Sequence, residues 1–166
     1  MKIRSANPTD ASQIAELNEV FVAVTSSMDA KRFLELFDLC SYCLVADDGQ
    51  RLLGFVIAMR NEAPYDNGNY QWFEKRVRNM VYVDRIVLAA DARGQGLGHQ
   101  LYDALSTMAL ADGCKVMTVE MDIEPPNTHS LHFHTKHGFV EQGQRVLDGG
   151  KRVSMQCRDL LPVTDS

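Results

Sequence analysis

The chain has 166 residues, 45% hydrophobic and 23% charged, and a formal net charge of -5 at pH 7. A chain of this length is expected to form one domain that buries roughly two thirds of its unfolded surface. The negative charge disfavours nucleic acid as a partner, because phosphate binding needs a basic face. The sequence shows no window typical of a signal peptide or a membrane span, and its four cysteines are expected to be reduced, so we predict a cytoplasmic protein without a membrane partner.

The first half of the chain predicts one strand, two helices and a strand hairpin. Asn7, which is followed by proline, is a favourable cap for the first helix. Apolar residues then recur at helical spacing as far as Phe21 and Val24. Asp48-Gly49 is typical of the tight turn in a hairpin. The elements are a strand over 2–6, a helix that reaches Val24, a helix over 27–39 and two strands within 42–59.

Residues 61–78 interrupt this pattern with proline, glycine and other turn-forming residues, yet they carry four aromatic side chains. Two interpretations stay open. The segment is either a surface loop held in place by its aromatic residues or a lid that faces a substrate. In the second case Tyr65, Tyr70 and Trp72 are the candidate substrate contacts.

The second half predicts two strand-helix-strand crossings and a closing hairpin. Leu97, Leu101, Leu105 and Met108 fall on one face of a helix that follows a glycine-rich turn. The remaining elements are strands over 80–88 and 115–122, a short helix over 128–137, strands over 138–147 and 152–157, and a tail over 157–166. The order β-α-α-β-β-β-α-β-α-β-β implies a mixed α/β sheet in a single domain over 1–166.

The glycine-rich turn "RGQGLG" at residues 93–98 predicts an anion site. Backbone N–H groups at the start of a helix can hold phosphate oxygens, and glycine lets the backbone approach an anion closely. An ATP or GTP P-loop needs Lys-Ser/Thr after its glycines, and a dinucleotide fingerprint needs glycine or alanine where this chain has His99. The pattern that remains is Arg/Gln-x-x-Gly-x-Gly/Ala, filled by Arg93, Gly96 and Gly98.

With this pattern the chain resembles the GNAT N-acetyltransferase superfamily, whose pyrophosphate loop for acetyl-CoA has the same form. A second signature of that superfamily stands about thirty residues later as "NTHSLHFHTKHGF", which matches at Asn127, Ser130, Phe133, Gly138 and Phe139. The resemblance implies an α/β fold with a mixed, mostly antiparallel sheet of about seven strands. About four helices would flank the sheet, which would splay at strands 4 and 5.

The resemblance also implies acetyl-CoA as the cosubstrate, no metal, and a set of residues that bind the cosubstrate. Backbone groups near the end of strand 4 would pair with the pantetheine arm, and N–H groups of the turn would hold the pyrophosphate. Asn127 has a further interpretation as a helix cap. The set is Val87, Leu88, Ala90, Arg93, Gly94, Gln95, Gly96, Leu97, Gly98, His99, Asn127, Ser130 and Phe133.

The chain departs from the superfamily at His134, where the signature commonly has a tyrosine that protonates the departing CoA thiolate. An unperturbed side-chain pKa is about 6.5 for histidine and about 10 for tyrosine. Two outcomes stay open: His134 is the acid with a different pH range, or the thiolate leaves unaided.

A carboxylate must take the proton that the attacking amine loses, while a backbone N–H near Leu88 would stabilise the oxyanion. Asp84 on strand 4 and Glu120 on the next strand are the candidate bases. For either one the alternative is a carboxylate in a salt bridge, such as Asp84 beside Arg85. With Asp122 and Glu124 they would make an acidic approach that attracts ammonium groups.

We therefore predict direct acetyl transfer, through a ternary complex, to a primary amine of a small molecule or an amino-acid-like substrate. The alternatives are transfer to a protein or peptide N-terminus and a non-catalytic regulator that binds acyl-CoA. Several members of the superfamily are dimers, which leaves a homodimer open. A metal site at the histidines of 129–137 or at Cys40 and Cys43 is not expected, because no further ligands have suitable spacing.

Overall fold

The computed structural model describes residues 1–21 and 25–161, which form seven strands and five helices. The strands are β1 (Lys2–Ser5), β2 (Tyr42–Asp47), β3 (Leu52–Arg60), β4 (Met80–Leu88), β5 (Val116–Glu124), β6 (Val140–Val146) and β7 (Arg152–Asp159). The helices are α1 (Ala11–Glu19), α2 (Ala30–Leu39), α3 (Gly68–Glu74), α4 (Leu97–Ala111) and α5 (Thr128–Lys136). In this described part, none of the helices has the length and apolar content that crossing a membrane requires.

All seven strands lie in one sheet with the order β1-β2-β3-β4-β5-β7-β6. Every neighbouring pair is antiparallel except β4 and β5, which are parallel. The parallel pair separates after three residues, so the sheet splays between strands 4 and 5. The predicted mixed, mostly antiparallel sheet and the position of its splay are confirmed.

Apolar side chains cover both faces of the middle of this sheet, which explains why β3 and β4 are nearly continuous apolar runs. On one face, Val56 and Ala58 of β3 pack in a cluster with Leu101 and Leu105 of α4. On the other face, the alternate residues of β3 pack with α1 and α2 in a second cluster. The two cores fix the strand ends that surround the cleft described below.

The fifth helix, α3, lies in the segment that the sequence left open as a loop or a lid. The Asn67 side chain caps it by accepting a hydrogen bond from the Tyr70 N–H at 3.0 Å. Tyr70 and Phe73, three residues apart on the helix, are both buried. The Asn67 cap and one apolar face are enough to form a helix here, because that face packs against the hydrophobic core.

Two predicted boundaries differ from the structure. Helix α1 ends at Glu19, so Phe21 lies beyond it, and Val24 is outside the described residues. Residues 157–159 belong to β7 instead of a tail. The next residue, Leu160, is buried and its N–H bonds the Lys115 carbonyl at 2.8 Å, which holds the end of this strand against the sheet. Residues 162–166 of the predicted tail are also outside the described residues.

Candidate functional site

The splay of the sheet opens a cleft of about 690 Å³ between β4 and β5. The two strands pair only over Met80–Tyr82 and Val116–Thr118. Ala89 N–H bonds the Leu53 carbonyl of β3 at 2.8 Å, so the N–H of the preceding Leu88 points the other way, towards the cleft. Backbone polar groups near the end of β4 are therefore available to a molecule in the cleft.

The cleft brings together predicted site residues that lie up to fifty positions apart in the chain, from Asp84 to His134. Ten predicted site residues line it: Asp84, Val87, Leu88, Arg93, Gly98, Glu120, Asn127, Ser130, Phe133 and His134. The predicted residues Ala90, Gly94, Gln95, Gly96, Leu97 and His99 form the adjoining turn and the start of α4. The fold thus places the glycine turn and both candidate bases around one cavity.

The glycine turn has the backbone that an anion cradle needs. Gly94 and Gly96 have φ angles of +77° and +76°, which side chains rarely adopt, and open space surrounds both. Gly96 directly precedes α4, and within the described residues no side chain caps the first N–H groups of that helix. The exposed guanidinium of Arg93 lies beside the turn, 4.1 Å over the ring of Phe21. Uncapped N–H groups, the helix dipole and this cation favour a bound anion.

Helix α5 borders the turn through a close glycine contact. A Cβ atom on Gly98 would lie 3.0 Å from the Phe133 ring, so the absence of a side chain at Gly98 lets α4 approach α5 this closely without displacing the ring. The Asn127 side chain accepts a hydrogen bond from the Ser130 N–H at 3.2 Å and caps α5. Asn127 therefore has the structural role that was one of its two interpretations, and it also lines the cleft.

His134 is buried at the inner wall of the cleft, with 2% of its surface exposed. Its Nδ1 lies 2.7 Å from the Ser130 carbonyl, which makes Nδ1–H the donor. Its Nε2 is then the acceptor for the Tyr102 hydroxyl at 2.8 Å. Burial lowers the pKa of His134 to about 4. At neutral pH the imidazole is therefore neutral and both nitrogens have partners, which favours a positioning role over that of a proton donor.

We expect the stability of the protein to depend on pH through His134. The unfolded chain binds a proton on this histidine below about pH 6.5, whereas the folded chain does so only near pH 4. Stability is therefore lost as the pH falls from 6.5 towards 4. Between pH 7 and pH 4, the free energy of unfolding should fall by roughly 3 kcal/mol more in the wild type than in His134→Gln.

Urea unfolding at each pH measures this difference, and His132→Gln is the matched control because His132 is exposed on the same helix. We expect the control to follow the wild type. Parallel stability profiles for the wild type and His134→Gln would contradict the assignment of a buried, neutral imidazole.

A second histidine contact joins α4 to the end of α5. The Nδ1 atoms of His99 and His137 are 2.5 Å apart, and the two rings are stacked with centroids 4.6 Å apart. Burial and the nearby charge of Arg158 lower the pKa of His137 to about 4, so this imidazole is neutral at neutral pH. Among the described residues, no three His, Cys, Asp or Glu side chains gather into a group that could hold a metal ion.

Glu120 is the ionisable group in the cleft with the most unusual environment. Its Oε1 accepts hydrogen bonds from the Tyr82 hydroxyl at 3.0 Å and the Asn69 amide at 3.1 Å. Its Oε2 is buried and has no partner among the described residues. Burial, with a further contribution from the charge of Asp84, raises the pKa of Glu120 to about 8. An unpartnered oxygen with a pKa near neutrality suits a group that exchanges a proton with a bound molecule.

Asp84 has both carboxylate oxygens occupied. It accepts a hydrogen bond from the Tyr65 hydroxyl at 2.5 Å and forms an ion pair with the Arg85 Nε at 2.7 Å. The Arg85 guanidinium also bonds Asn18 Oδ1 and two oxygens of Ser26, at 2.8–3.1 Å. Of the two candidate bases, Asp84 thus has the environment of the salt-bridge alternative, and its charge acts on Glu120 from the opposite wall.

The three candidate substrate residues lie in different environments. Tyr65 reaches Asp84, but it is buried. The Tyr70 hydroxyl bonds the Arg60 carbonyl at 2.7 Å and Glu74 at 3.0 Å. Trp72 packs against Gly143, and Arg76 lies 4.1 Å over its ring. None of the three is among the described residues that line the cleft.

The sequence did not point to Asn67, Asn69 or Lys151, although all three line the cleft. Asn69 was hidden in a turn-rich segment, but its amide reaches Glu120. Lys151 follows the closing hairpin turn, and its Nζ lies 2.8 Å from Asp122 Oδ2. The sequence signal that could have identified Lys151 is its position directly after the two glycines of a hairpin turn, because binding residues are often found on such loops.

Comparison with known proteins gives the same group of relatives by sequence and by structure. The sequence profile described as the Acetyltransferase (GNAT) family matches residues 11–139. The L-amino acid N-acyltransferase MnaT of Escherichia coli K12 is 30% identical over 161 residues, covering 91% of this chain and 86% of that protein.

Two further known proteins are similar to this chain, one in sequence over part of its length and one in structure. The L-2,4-diaminobutyric acid acetyltransferase of Shouchella clausii is 26% identical over 114 residues; the match covers 66% of this chain and 55%, about half, of that relative. The structure of yncA from Salmonella typhimurium, solved with its cofactor acetyl-CoA, superposes with a TM-score of 0.73 at 19% identity. The superposition covers 100% of this chain and 97% of the yncA chain, so the two proteins share the same fold.

Proposed function

The chain belongs to the acetyltransferase (GNAT) family, and from this premise we propose that it transfers the acetyl group of acetyl-CoA to the primary amine of a small, amino-acid-like molecule. The observation that carries the proposal is the position of Glu120, which lines the same cleft as the glycine turn and whose buried Oε2 has no partner among the described residues. The names of the relatives from Escherichia coli and Shouchella clausii, which refer to an amino acid and a diamino acid, support this class of acceptor.

The residues of the turn fit the cosubstrate. Two glycines at positive φ with open space above them, the uncapped start of α4 and the cation of Arg93 suit a pyrophosphate. The Leu88 N–H and the other free backbone groups of β4 suit the amide-containing pantetheine arm. Acetyl-CoA, when bound, supplies an acetyl thioester that is open to attack by an amine.

Glu120 would accept a proton from the ammonium group of the acceptor, which makes the amine a nucleophile. Its pKa of about 8 lets it hold or release that proton near neutrality. Tyr82 and Asn69 orient the carboxyl through Oε1 and leave Oε2 for the acceptor. The Leu88 N–H would donate to the oxygen that gains negative charge during the attack. We assign His134 to hold Ser130 and Tyr102 in place. In this proposal the carbon–sulfur bond breaks as the tetrahedral adduct collapses and CoA leaves as a thiolate, while the second proton that the amine nitrogen loses passes to water.

Thiol release from acetyl-CoA against a panel of amines, amino acids and short peptides tests the proposal. We expect release with amino acids. Gly96→Val should raise the KM for acetyl-CoA about tenfold, because a β-branched residue at positive φ costs about 1–2 kcal/mol and shifts the cradle.

Gly113→Val is the matched control, since Gly113 has a φ of +92° and open space at the far end of α4. It should be strained to a similar degree but keep the wild-type KM. Tight CoA binding without release for any acceptor would contradict the proposal and favour the acyl-CoA-binding regulator. Release with peptides alone would favour N-terminal acetylation.

A further inference from the structure

Lys151 occupies a part of the cleft that the proposed reaction does not use. It lies between β6 and β7, and its ammonium group pairs with Asp122 at 2.8 Å. The lysine side chain is 34% exposed, whereas that of Asp122 is 10% exposed. An ammonium group has three N–H donors, and Asp122 is its one ion-pair partner among the described residues. Donors of Lys151 therefore remain available at the mouth of the cleft.

Apart from Glu120, the carboxylates on β4 and β5 that line the cleft, near the proposed site of the acceptor, are paired with cations. Asp84 pairs with Arg85, and Asp122 pairs with Lys151. Glu120 is mostly protonated at neutral pH because of its raised pKa. The predicted acidic approach is thus largely neutralised, and the cleft offers little attraction to a molecule that carries only positive charge. A zwitterion, which has both signs and no net charge, suits such a surface better.

Glu120 and the Asp122–Lys151 pair lie at neighbouring positions of one wall of the cleft, which suits a zwitterion with its charges close together. Glu120 and Asp122 are two residues apart on β5, so their side chains lie on one face about 7 Å apart along the strand. Asp122 holds the Lys151 ammonium group beside this face, and all three residues line the same cleft, so one small molecule can lie against both Glu120 and Lys151. The ammonium would face Glu120, and the carboxylate would face Lys151.

We infer that Lys151 binds the carboxylate of the acceptor and makes the protein selective for α-amino acids over plain amines. The inference rests on the proposed function, because it concerns the acceptor of that reaction. Lys151 is a specificity-determining residue in this arrangement, since it contacts the substrate but not the reacting atoms.

The test compares L-amino acids with their amides, which keep the amine and the side chain but lose the carboxylate. For the pair that the wild type acetylates fastest, kcat/KM should be higher for the acid. Lys151→Met should lower kcat/KM for the acid roughly 10- to 100-fold, the effect of one hydrogen bond to a charged group. The amide should change less than twofold, and Lys151→Arg should keep most of the preference.

Two controls separate this role from a structural one. Lys151→Met leaves Asp122 unpaired, so Lys151→Met/Asp122→Asn restores neutrality and should still lack the preference for the acid. Arg152→Met removes the neighbouring cation, which pairs with Glu124 at 3.3 Å and does not line the cleft, and should keep the wild-type preference.

Equal losses for the acid and the amide in both Lys151→Met variants would overturn the inference and leave the proposed function intact. A wild type that prefers amides would overturn it as well. Absence of transfer to every acceptor, despite CoA binding, would instead contradict the proposed function itself.

Discussion

Replacing Glu120 with glutamine is expected to lower kcat for acetyl transfer by roughly 10²- to 10⁴-fold, the usual contribution of a general base. Glutamine keeps the shape of the side chain and can still accept from Tyr82, but it cannot take a proton from the acceptor. Thiol release at saturating acetyl-CoA and saturating acceptor measures kcat directly. The KM for acetyl-CoA should stay close to that of the wild type, because the glycine turn is unchanged.

The pH dependence gives a second measure of the same role. The wild-type kcat/KM should rise with pH through an apparent pKa near 8, because the carboxyl must lose its proton before it can act as a base. Glu120→Gln should lose this ionisation. Glu124→Gln is the matched control on the same strand, since Glu124 is exposed and pairs with Arg152. Activity of Glu120→Gln within threefold of the wild type would show that another group is the base.

Replacing Arg85 with methionine is expected to lower the free energy of unfolding by about 3–5 kcal/mol, because it leaves Asp84 as an uncompensated buried charge. The side chains of the pair are 6% and 4% exposed. The same change removes the hydrogen bonds that join β4 to Asn18 and Ser26. Urea denaturation followed by circular dichroism measures the loss.

The double variant Arg85→Met/Asp84→Asn should recover part of this stability, since it removes the unpaired charge as well. Arg32→Met is the control for an exposed ion pair: Arg32 pairs with Glu35 on α2, and its loss should cost less than about 1 kcal/mol. A free energy of unfolding for Arg85→Met within 1 kcal/mol of the wild type would contradict the structural role of the buried pair.

The individual strands and the glycine turn were predictable because local rules determine them, whereas the seven-stranded sheet with its splay was implied by the resemblance to the GNAT superfamily. Apolar runs of strand length, the Asp48-Gly49 turn and the helical stripe after Gly96 each depend on neighbouring residues alone. Helix α3 was missed since proline, glycine and asparagine outnumber its two buried aromatic residues. Its stability comes from packing on the core, which a local pattern does not report.

The charge pattern of the cleft was not predictable from the sequence. A list of acidic residues on β4 and β5 suggests an anionic approach, but it does not show which cations face them. Lys151 and Asp122 are brought together by the antiparallel pairing of β5 with β7, in which Asp122 lies opposite Val153. Registers between distant strands depend on the whole sheet and cannot be read from one chain.

The splay also bears on the shape of the cleft. The two halves of the sheet, β1–β4 and β5–β7, are joined by a ladder of only three residue pairs. The hydrogen bond between Tyr82 and Glu120 also joins the two halves at the base of the splay. Buried residues at the ladder, such as Met80 and Thr118, therefore set the angle at which the walls diverge. A change of side-chain volume there would alter the size of acceptor that the cleft admits, without touching a residue that binds the acceptor.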